Sequence, residues 1–388
     1  MTKKPNWIFL ALVNSVLIQA STYLSRPMIT YRLLELHSNN LLVGFYGALY
    51  VLFPLLLAIP LGHWVNHHGE GRFVFFGTVM AIVSTLGLMI SHSVIPLGFF
   101  VVALGSSQFL CMVGSQAMVS NRSPNSSFEK YFGYYTFSAS LGQMIGPAIG
   151  SASSGSAGLL PKSTSHGFLA AAILAGVALI PVLSWVVMKP THAMTAKESR
   201  SGMSFTSVMS NPGMKTAMFT SMIISSSIDV FTVFLPVFGR DKGFTSTAIA
   251  GALVARAAAS MISRFFLGFF TKRIGYQRLF LGSITLSCIA CAVAAFSSTV
   301  LFLTVVMFVA GFTLGVGQPM TMAWVSRKSP ENERSFAISI RLAGNRFGQF
   351  MMPMIAGVVA GPLGAGAVFL VIAGLVGTTA PLVKKSLT

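Results

Sequence analysis

Apolar runs long enough to cross a bilayer recur along the whole chain, and this constrains its fold more than any other feature. A membrane-crossing helix needs about 20 predominantly apolar residues. Twelve such runs are predicted, over 7–25, 42–61, 73–92, 95–119, 131–152, 165–188, 214–237, 245–270, 279–298, 300–325, 335–360 and 364–383. In hydrocarbon every backbone N–H and C=O must be satisfied internally, so runs of this kind form helices. Charged residues make up 9% of the chain, against about 25% in soluble domains, which excludes an ordinary soluble fold. The opening MTKKPNWIFLALVNSVLIQA has the form of a secretory signal, but eleven further runs follow, so it is expected to stay as the first span. The expected fold class is an all-α membrane protein with twelve transmembrane helices.

Lys and Arg outnumber Asp and Glu by 26 to 8. With both termini cytoplasmic, Arg26, Arg32, Lys162, Arg240 and Lys242 fall outside, and Arg256, Arg264, Arg341 and Arg346 fall within spans. All the other basic residues then lie on the inner side. This is the positive-inside pattern, and it predicts a multi-pass protein of the inner (plasma) membrane. The basic residues form short membrane-flanking groups rather than one patch, so nucleic acid is not an expected partner. Cys288 and Cys291 form a C-x-x-C on an apolar stretch, where packing is expected over redox chemistry. His63 and His67, with His68 adjacent, have only Glu70 as a nearby carboxylate. No metal site or cofactor is expected there.

One segment, GQMIGPAIG at 142–150, places a proline and three glycines inside an apolar run. Pro147 frees the carbonyl of Gln143, four residues back, and weakens the helix there. Gly142, Gly146 and Gly150 lie on one face and permit close helix approach. The expected role is a flexible, tightly packed helix at the interface between two halves. The segment has a twin at 348–357, GQFMMPMIAG, in which Gly348, Gln349 and Pro353 stand 206 residues after Gly142, Gln143 and Pro147. Gly62 and Gly268, Gly69 and Gly275, Arg72 and Arg278, and Gly105 and Gly311 share that offset. A fixed offset across separate motifs predicts two homologous six-helix halves, 1–188 and 214–388, joined by a polar cytoplasmic linker at 189–213. Paired six-helix halves with a mid-membrane site between them are a known transporter plan.

These features resemble the major facilitator superfamily over nearly the full length. The G-x-x-x-[acid]-x-x-G loop after spans 2 and 8 is that superfamily's signature. The G-x-x-x-G-P-x-x-G from Gly142 to Gly150 resembles the antiporter motif of its drug/proton efflux branch. The resemblance implies two pseudo-symmetric six-helix bundles, a cavity lined by spans 1, 4, 7 and 10, and gating at the signature loops. In this chain Asn66 stands in place of the loop acid, with Lys272 in the second copy. Glu70 and Gly71 replace the basic pair, so the charge relay that this loop makes in the family is expected to be weakened. The basic residue of span 4 in the efflux branch is also absent. The gating set is Gly62, Asn66, Gly69, Arg72, Gly142, Gly146, Pro147, Gly150, Arg264, Gly268, Gly275 and Pro353.

Of the eight acids, Asp229 alone lies deep in a predicted span. A buried carboxylate is costly unless paired, protonated or hydrated, so it is a functional candidate by default. Asp229 lies ~12 Å and Arg256 ~16 Å from the outer ends of consecutive antiparallel spans, so the two are expected to meet. A carboxylate that exchanges an arginine for a proton couples protonation to conformation. Arg346, near mid-depth beside Asn345 and Gln349, is the expected contact for an acidic group, because a guanidinium binds planar anions through two bonds. Arg341 is expected to snorkel to the inner face. Tyr23, Gln108 and Gln318 are further cavity candidates, as are Asn14, Gln19 and Gln116.

The predicted function is alternating-access secondary transport by a monomer. It is expected to be proton-coupled efflux of a small organic compound, anionic or zwitterionic, because arginines outnumber acids in the interior. An importer of an organic acid or sugar is the rival within the class. A non-transporting receptor or scaffold is the rival outside it, and would not need mid-membrane charges. No span carries a nucleophile–base pair or metal cluster, so an enzyme is not expected.

Overall fold

The computed structural model describes residues 7–123, 128–156, 158–186, 205–330 and 334–387. Among them the secondary structure is helical, and pairing outside helices is limited to an isolated bridge between Ser156 and Pro161. The first six helices are α1 (Trp7–Glu35), α2 (Asn40–His68), α3 (Glu70–Ile90), α4 (Val94–Arg122), α5 (Phe128–Ser154) and α6 (Thr164–Val186). The predicted linker lies outside the described residues over 189–204, and the short α7 (Phe205–Ser210) follows. Then come α8 (Met214–Lys242), α9 (Ser246–Phe265), α10 (Leu267–Ile274), α11 (Tyr276–Ala294), α12 (Val300–Lys328), α13 (Arg334–Leu363) and α14 (Ala365–Leu387). With the short α7 and α10 set aside, the predicted twelve long helices are present among the described residues, ten of them starting or ending three or more residues beyond the apolar run that marked them.

The repeat at 206 extends to the ends of the helices. Adding 206 to α2 gives 246–274, the extent of α9 and α10 together; adding it to α4 gives 300–328, which is α12. The caps repeat too. Asn39 Oδ1 accepts from the Leu42 N–H at 2.9 Å, and Thr245 Oγ1 accepts from the Ala248 N–H at 3.3 Å. Gly69 (φ 88°) precedes α3 and Gly275 (φ 85°) precedes α11, a conformation that glycine alone adopts without strain. In the first bundle α1 packs on α5 and α6, and α3 on α4 and α6; in the second α8 packs on α13 and α14, and α11 on α12 and α14.

Among the described residues, ten helices are long and apolar enough to cross a membrane by length and composition. The two long helices outside that set are α5 and α13, the pair that carries the glycine–proline motifs, with Asn345, Arg346 and Gln349 on α13. Both continue through Pro147 and Pro353.

Two compact units are present: Met1–His37 with Leu49–Met194, and Ser38–Ala48 with Thr195–Thr388. The first part of α2 therefore belongs with the second unit. There the backbone at Gly44 meets the Pro353 carbonyl and Gly357, where a Cβ would not fit. Asn40 Nδ2 donates to the Ala360 carbonyl at 2.9 Å, and Arg240 Nη2 donates to Asn40 Oδ1 at 3.4 Å.

Three helices depart from or extend their expected form. The first helix does not end at 25: α1 runs to Glu35 and buries Arg26 and Arg32 within the protein. Arg32 is held by neighbours distant in sequence: it donates to Thr164 Oγ1 at 2.8 Å, Ser165 Oγ at 2.6 Å and the Ser91 carbonyl at 3.1 Å, and pairs with Glu35 at 3.3 Å. The run 245–270 is not one helix; the chain breaks at Phe266, between α9 and α10. Finally, the glycine face of α5 packs on α1, within the first unit. A Cβ on Gly142 would strike the Val16 carbonyl, and one on Gly146 would sit 2.6 Å from the Ala20 carbonyl. The twin Gly348 packs likewise on α8, at Met222 and Ser226.

Candidate functional site

The polar interior of the second unit is built on two helices. On α8, Ser221, Ser225 and Asp229 are one turn apart; on α13, Arg341, Asn345 and Gln349 are one turn apart. Residues four apart share a helix face, so each triplet forms a polar ridge. The ridges meet: Ser221 Oγ donates to Asn345 Oδ1 at 2.9 Å, and Gln349 Nε2 donates to Ser225 Oγ at 2.9 Å. Both helices advance by four between these contacts, so α8 and α13 run parallel here. From α12, Gln318 Nε2 also donates to Ser225 Oγ, at 3.1 Å. Arg346 Nη1 donates to Gln349 Oε1 at 3.0 Å. Thus Gln349 and Gln318 converge on one serine hydroxyl, Arg346 joins through Gln349, and Asn345 joins at the next turn. The other serines of α8 become tolerable in an apolar interior by bonding back along their own helix, as Ser226 does to the Met222 carbonyl at 2.7 Å.

Asp229 is 6% exposed and Arg256, on α9, 4%. Arg341 is 5% exposed and does not reach an inner surface, contrary to the expectation of snorkelling. Its guanidinium turns into α12 instead, with Nη2 donating to the Gln318 carbonyl at 3.0 Å and to Thr321 Oγ1 at 3.1 Å. A third acceptor on α12, Met322 Sδ, is 3.6 Å from Nη1.

The first unit is polar in a different way. Gln108 Nε2 donates to Gln19 Oε1 at 3.4 Å, and Asn14 Nδ2 to the Ala178 carbonyl at 3.3 Å. Arg26, which the sequence reading placed beyond the span, lies 4.5 Å from the Tyr50 ring centroid and 5.9 Å from that of Tyr23. The signal that marks it is the pair of interior tyrosines, since an aromatic face is a partner for a guanidinium in apolar surroundings.

The 206 offset allows the two units to be compared position by position. Gly105 abuts the Tyr50 carbonyl and Gly311 abuts the Arg256 carbonyl, so Tyr50 and Arg256 occupy equivalent places. By the same offset Asp229 corresponds to Tyr23, Arg341 to Tyr135 and Arg346 to Ser140. Four charges in the second unit stand where the first has neutral residues.

Among the proposed gating residues, Gly69 and Gly275 are fixed by their positive φ. Gly268 is exposed, and a Cβ there would meet nothing within 4 Å, so packing does not require glycine. Arg72 is exposed, and Arg264 lies half-buried in the last turn of α9. Gly62, Asn66, His63, His67 and His68 fall outside the residues whose side chains are described. Glu70, read as an interruption of a basic pair, is 2% exposed and pairs with Arg122 Nε at 3.1 Å. This ties the start of α3 to the end of α4. The matching junction of α11 and α12 is tied by Tyr276, which donates to the Met320 carbonyl at 2.7 Å and lies 5.0 Å from the Arg327 guanidinium.

Comparison with known proteins agrees with this arrangement. Over 367 residues the chain is 25% identical to Multidrug resistance protein 1 of Bacillus subtilis (strain 168), covering 92% of this chain and 91% of that one. Over 363 residues it is 24% identical to the Tetracycline resistance protein, class G, of Vibrio anguillarum, covering 90% and 86%. Among solved structures, a variant of the nucleoside transporter NupG shares the fold with a TM-score of 0.79 at 16% identity, over 99% of this chain and 100% of that one. A bacterial homologue of the human lysosomal transporter Spinster does so with a TM-score of 0.73 at 12% identity, over 97% and 96%. The family model of the Major Facilitator Superfamily matches residues 11–255 and again 217–385, and the chain belongs to that superfamily of multi-pass membrane transporters.

Proposed function

We propose that the protein is a proton-coupled exporter of a small organic compound that carries an acidic group, working by alternating access. The observation that carries this reading is the charge asymmetry: Asp229, Arg256 and Arg346 stand in the second unit where the first has Tyr23, Tyr50 and Ser140. The direction of transport follows the efflux relatives, two of which carry multidrug resistance in their names and one tetracycline resistance.

In this account Asp229 takes up and releases the proton, and Arg256 is its alternate partner. The equivalence supports their proximity: Tyr23 and Tyr50, their counterparts, both lie within 6 Å of one guanidinium, that of Arg26. Arg346 binds the acidic group, oriented by Gln349 and supported by Asn345 and Gln318, while Tyr23 and Gln108 serve the first unit's side. The signature loops and the motifs from Gly142 to Gly150 and at Pro353 act as gating elements. The protein is placed in the inner membrane as a monomer, with both termini and the 189–213 linker cytoplasmic.

Reconstituted protein tests this with a proton-sensitive dye inside inverted vesicles and a panel of carboxylates and zwitterions outside. A compound that discharges the gradient with the wild type and not with Asp229→Asn supports the reading. Gradient-independent flux, identical in Asp229→Asn, removes the coupling role. Arg346→Ala with unchanged affinity for such a compound removes the acidic-group contact.

A further inference from the structure

The strongest unassigned feature is Arg341. Its side chain is nine-tenths buried, yet its partners among the described residues are neutral: the Gln318 carbonyl at 3.0 Å, Thr321 Oγ1 at 3.1 Å and the weak acceptor Met322 Sδ at 3.6 Å. Its Nε is buried with no hydrogen-bond partner. No carboxylate among the described residues compensates the charge. A guanidinium stays charged in proteins, so a cation held this way is expensive unless something anionic joins it.

Packing does not explain the choice of arginine. The equivalent position in the first unit is Tyr135, which is buried as well and carries no charge. The same helix position is therefore filled by a neutral ring in a homologous bundle. What distinguishes the second unit is its neighbours. Arg341 shares Gln318 with the polar ridge: Gln318 accepts from Arg341 through its carbonyl and donates through its side chain to Ser225, which also accepts from Gln349, the partner of Arg346. A continuous set of hydrogen bonds thus runs from one guanidinium to the other across α13, α12 and α8.

We infer that Arg341, through its unpartnered Nε and the Nη2 that Thr321 now holds, is a second anion subsite that takes a carboxylate or a small inorganic anion. This rests on the acidic-substrate reading and extends it to a residue five positions from Arg346. Nε offers an N–H without an acceptor, and Nη2 beside it completes the edge that binds a carboxylate through two parallel bonds once the anion replaces Thr321 Oγ1 as its acceptor. Entry of the anion gives Nε an acceptor and the charge a counter-ion. The anion is either the substrate's own acid or a free inorganic anion that travels beside it.

The test uses purified full-length protein and thermal unfolding, with benzoate, benzamide, phosphate and chloride as probes. A ligand that binds the folded state raises the apparent Tm by mass action. Arg341→Tyr, which installs the residue found at the equivalent position, is expected to unfold at or above the wild-type temperature without ligand. It is expected to lose affinity for benzoate by about tenfold or more, as a site stripped of its bidentate donor does. Benzamide, isosteric and neutral, leaves both proteins unchanged. Stabilisation by benzoate alone identifies the substrate's acid as the occupant; saturation by phosphate or chloride identifies a free anion; either supports the subsite. An Arg341→Tyr protein that keeps the full benzoate response overturns it. If Arg346→Gln loses the response in that case, the acidic-substrate reading stands while the second subsite falls. A wild type indifferent to all the anions overturns both.

Discussion

Substituting Gly146 by alanine puts a methyl group against the backbone of α1. The added Cβ would lie 2.6 Å from the Ala20 carbonyl oxygen and 2.9 Å from the Leu24 nitrogen. Real Cβ atoms keep well over 3 Å from backbone atoms, and no rotamer change relieves a Cβ contact, so α1 and α5 must move apart by several tenths of an ångström. Overpacking of this kind costs about 1–3 kcal/mol. Alanine also favours the helix over glycine by roughly 0.5–1 kcal/mol, which partly masks the clash. Gly133, earlier on α5, supplies the control, because a Cβ there meets nothing within 4 Å. The propensity gain is common to both substitutions, so Gly146→Ala is expected to be less stable than Gly133→Ala by the overpacking alone, about 1–3 kcal/mol. Denaturant titration in mixed micelles measures the difference. Equal stability of the two variants would refute the claim that α5 is held against α1 through its glycines. Gly146→Leu is expected to go further and impair transport at equal membrane abundance.

Other predictions follow the polar contacts. Glu70→Gln leaves Arg122 without its ion-pair partner and is expected to destabilise the α3–α4 junction by about 1–3 kcal/mol, read as the coupling energy of a double-mutant cycle with Arg122→Gln. Arg32→Ala removes the donor from three side-chain and backbone acceptors on α6 and after α3, and is expected to lower stability by about 3 kcal/mol or more in the same titration. Arg346→Lys is expected to weaken binding of an acidic compound and Arg346→Ala to weaken it further, since the ammonium keeps the charge but loses the planar fork. Arg256→Ala is expected to change the pH profile of transport and leave substrate affinity at saturating proton concentration near that of the wild type.

The fold was legible because it rests on a local property, apolar length, and on an offset that survives in backbone-determined positions. Gly69 and Gly275 need positive φ, and Gly105 and Gly311 need close approach, so both pairs persist at 206 residues apart. Helix ends were less legible where charge misled. Arg26 and Arg32 read as flanking residues because their partners, Tyr50, Thr164, Ser165 and Ser91, are remote in sequence. Arg341 read as snorkelling for the same reason: its acceptors lie on another helix, and nothing in its own neighbourhood announces them. The glycine face of α5 was visible as a close-packing surface, but a periodicity names the face and not the helix opposite it. Glu70 read as a departure from a motif because motif comparison scores each position alone, whereas its meaning lies in Arg122, 52 residues on.

The most direct test of the account is the exchange of charge at its centre. Proteoliposomes that hold the wild type, Asp229→Asn or Asp229→Glu are given an imposed proton gradient and one compound found by the carboxylate panel, and both proton and compound fluxes are followed. The account predicts coupled fluxes for the wild type, none driven by protons for Asp229→Asn, and partial recovery for Asp229→Glu, which restores a titratable group one methylene further out. Proton-driven flux through Asp229→Asn at the wild-type rate would contradict it.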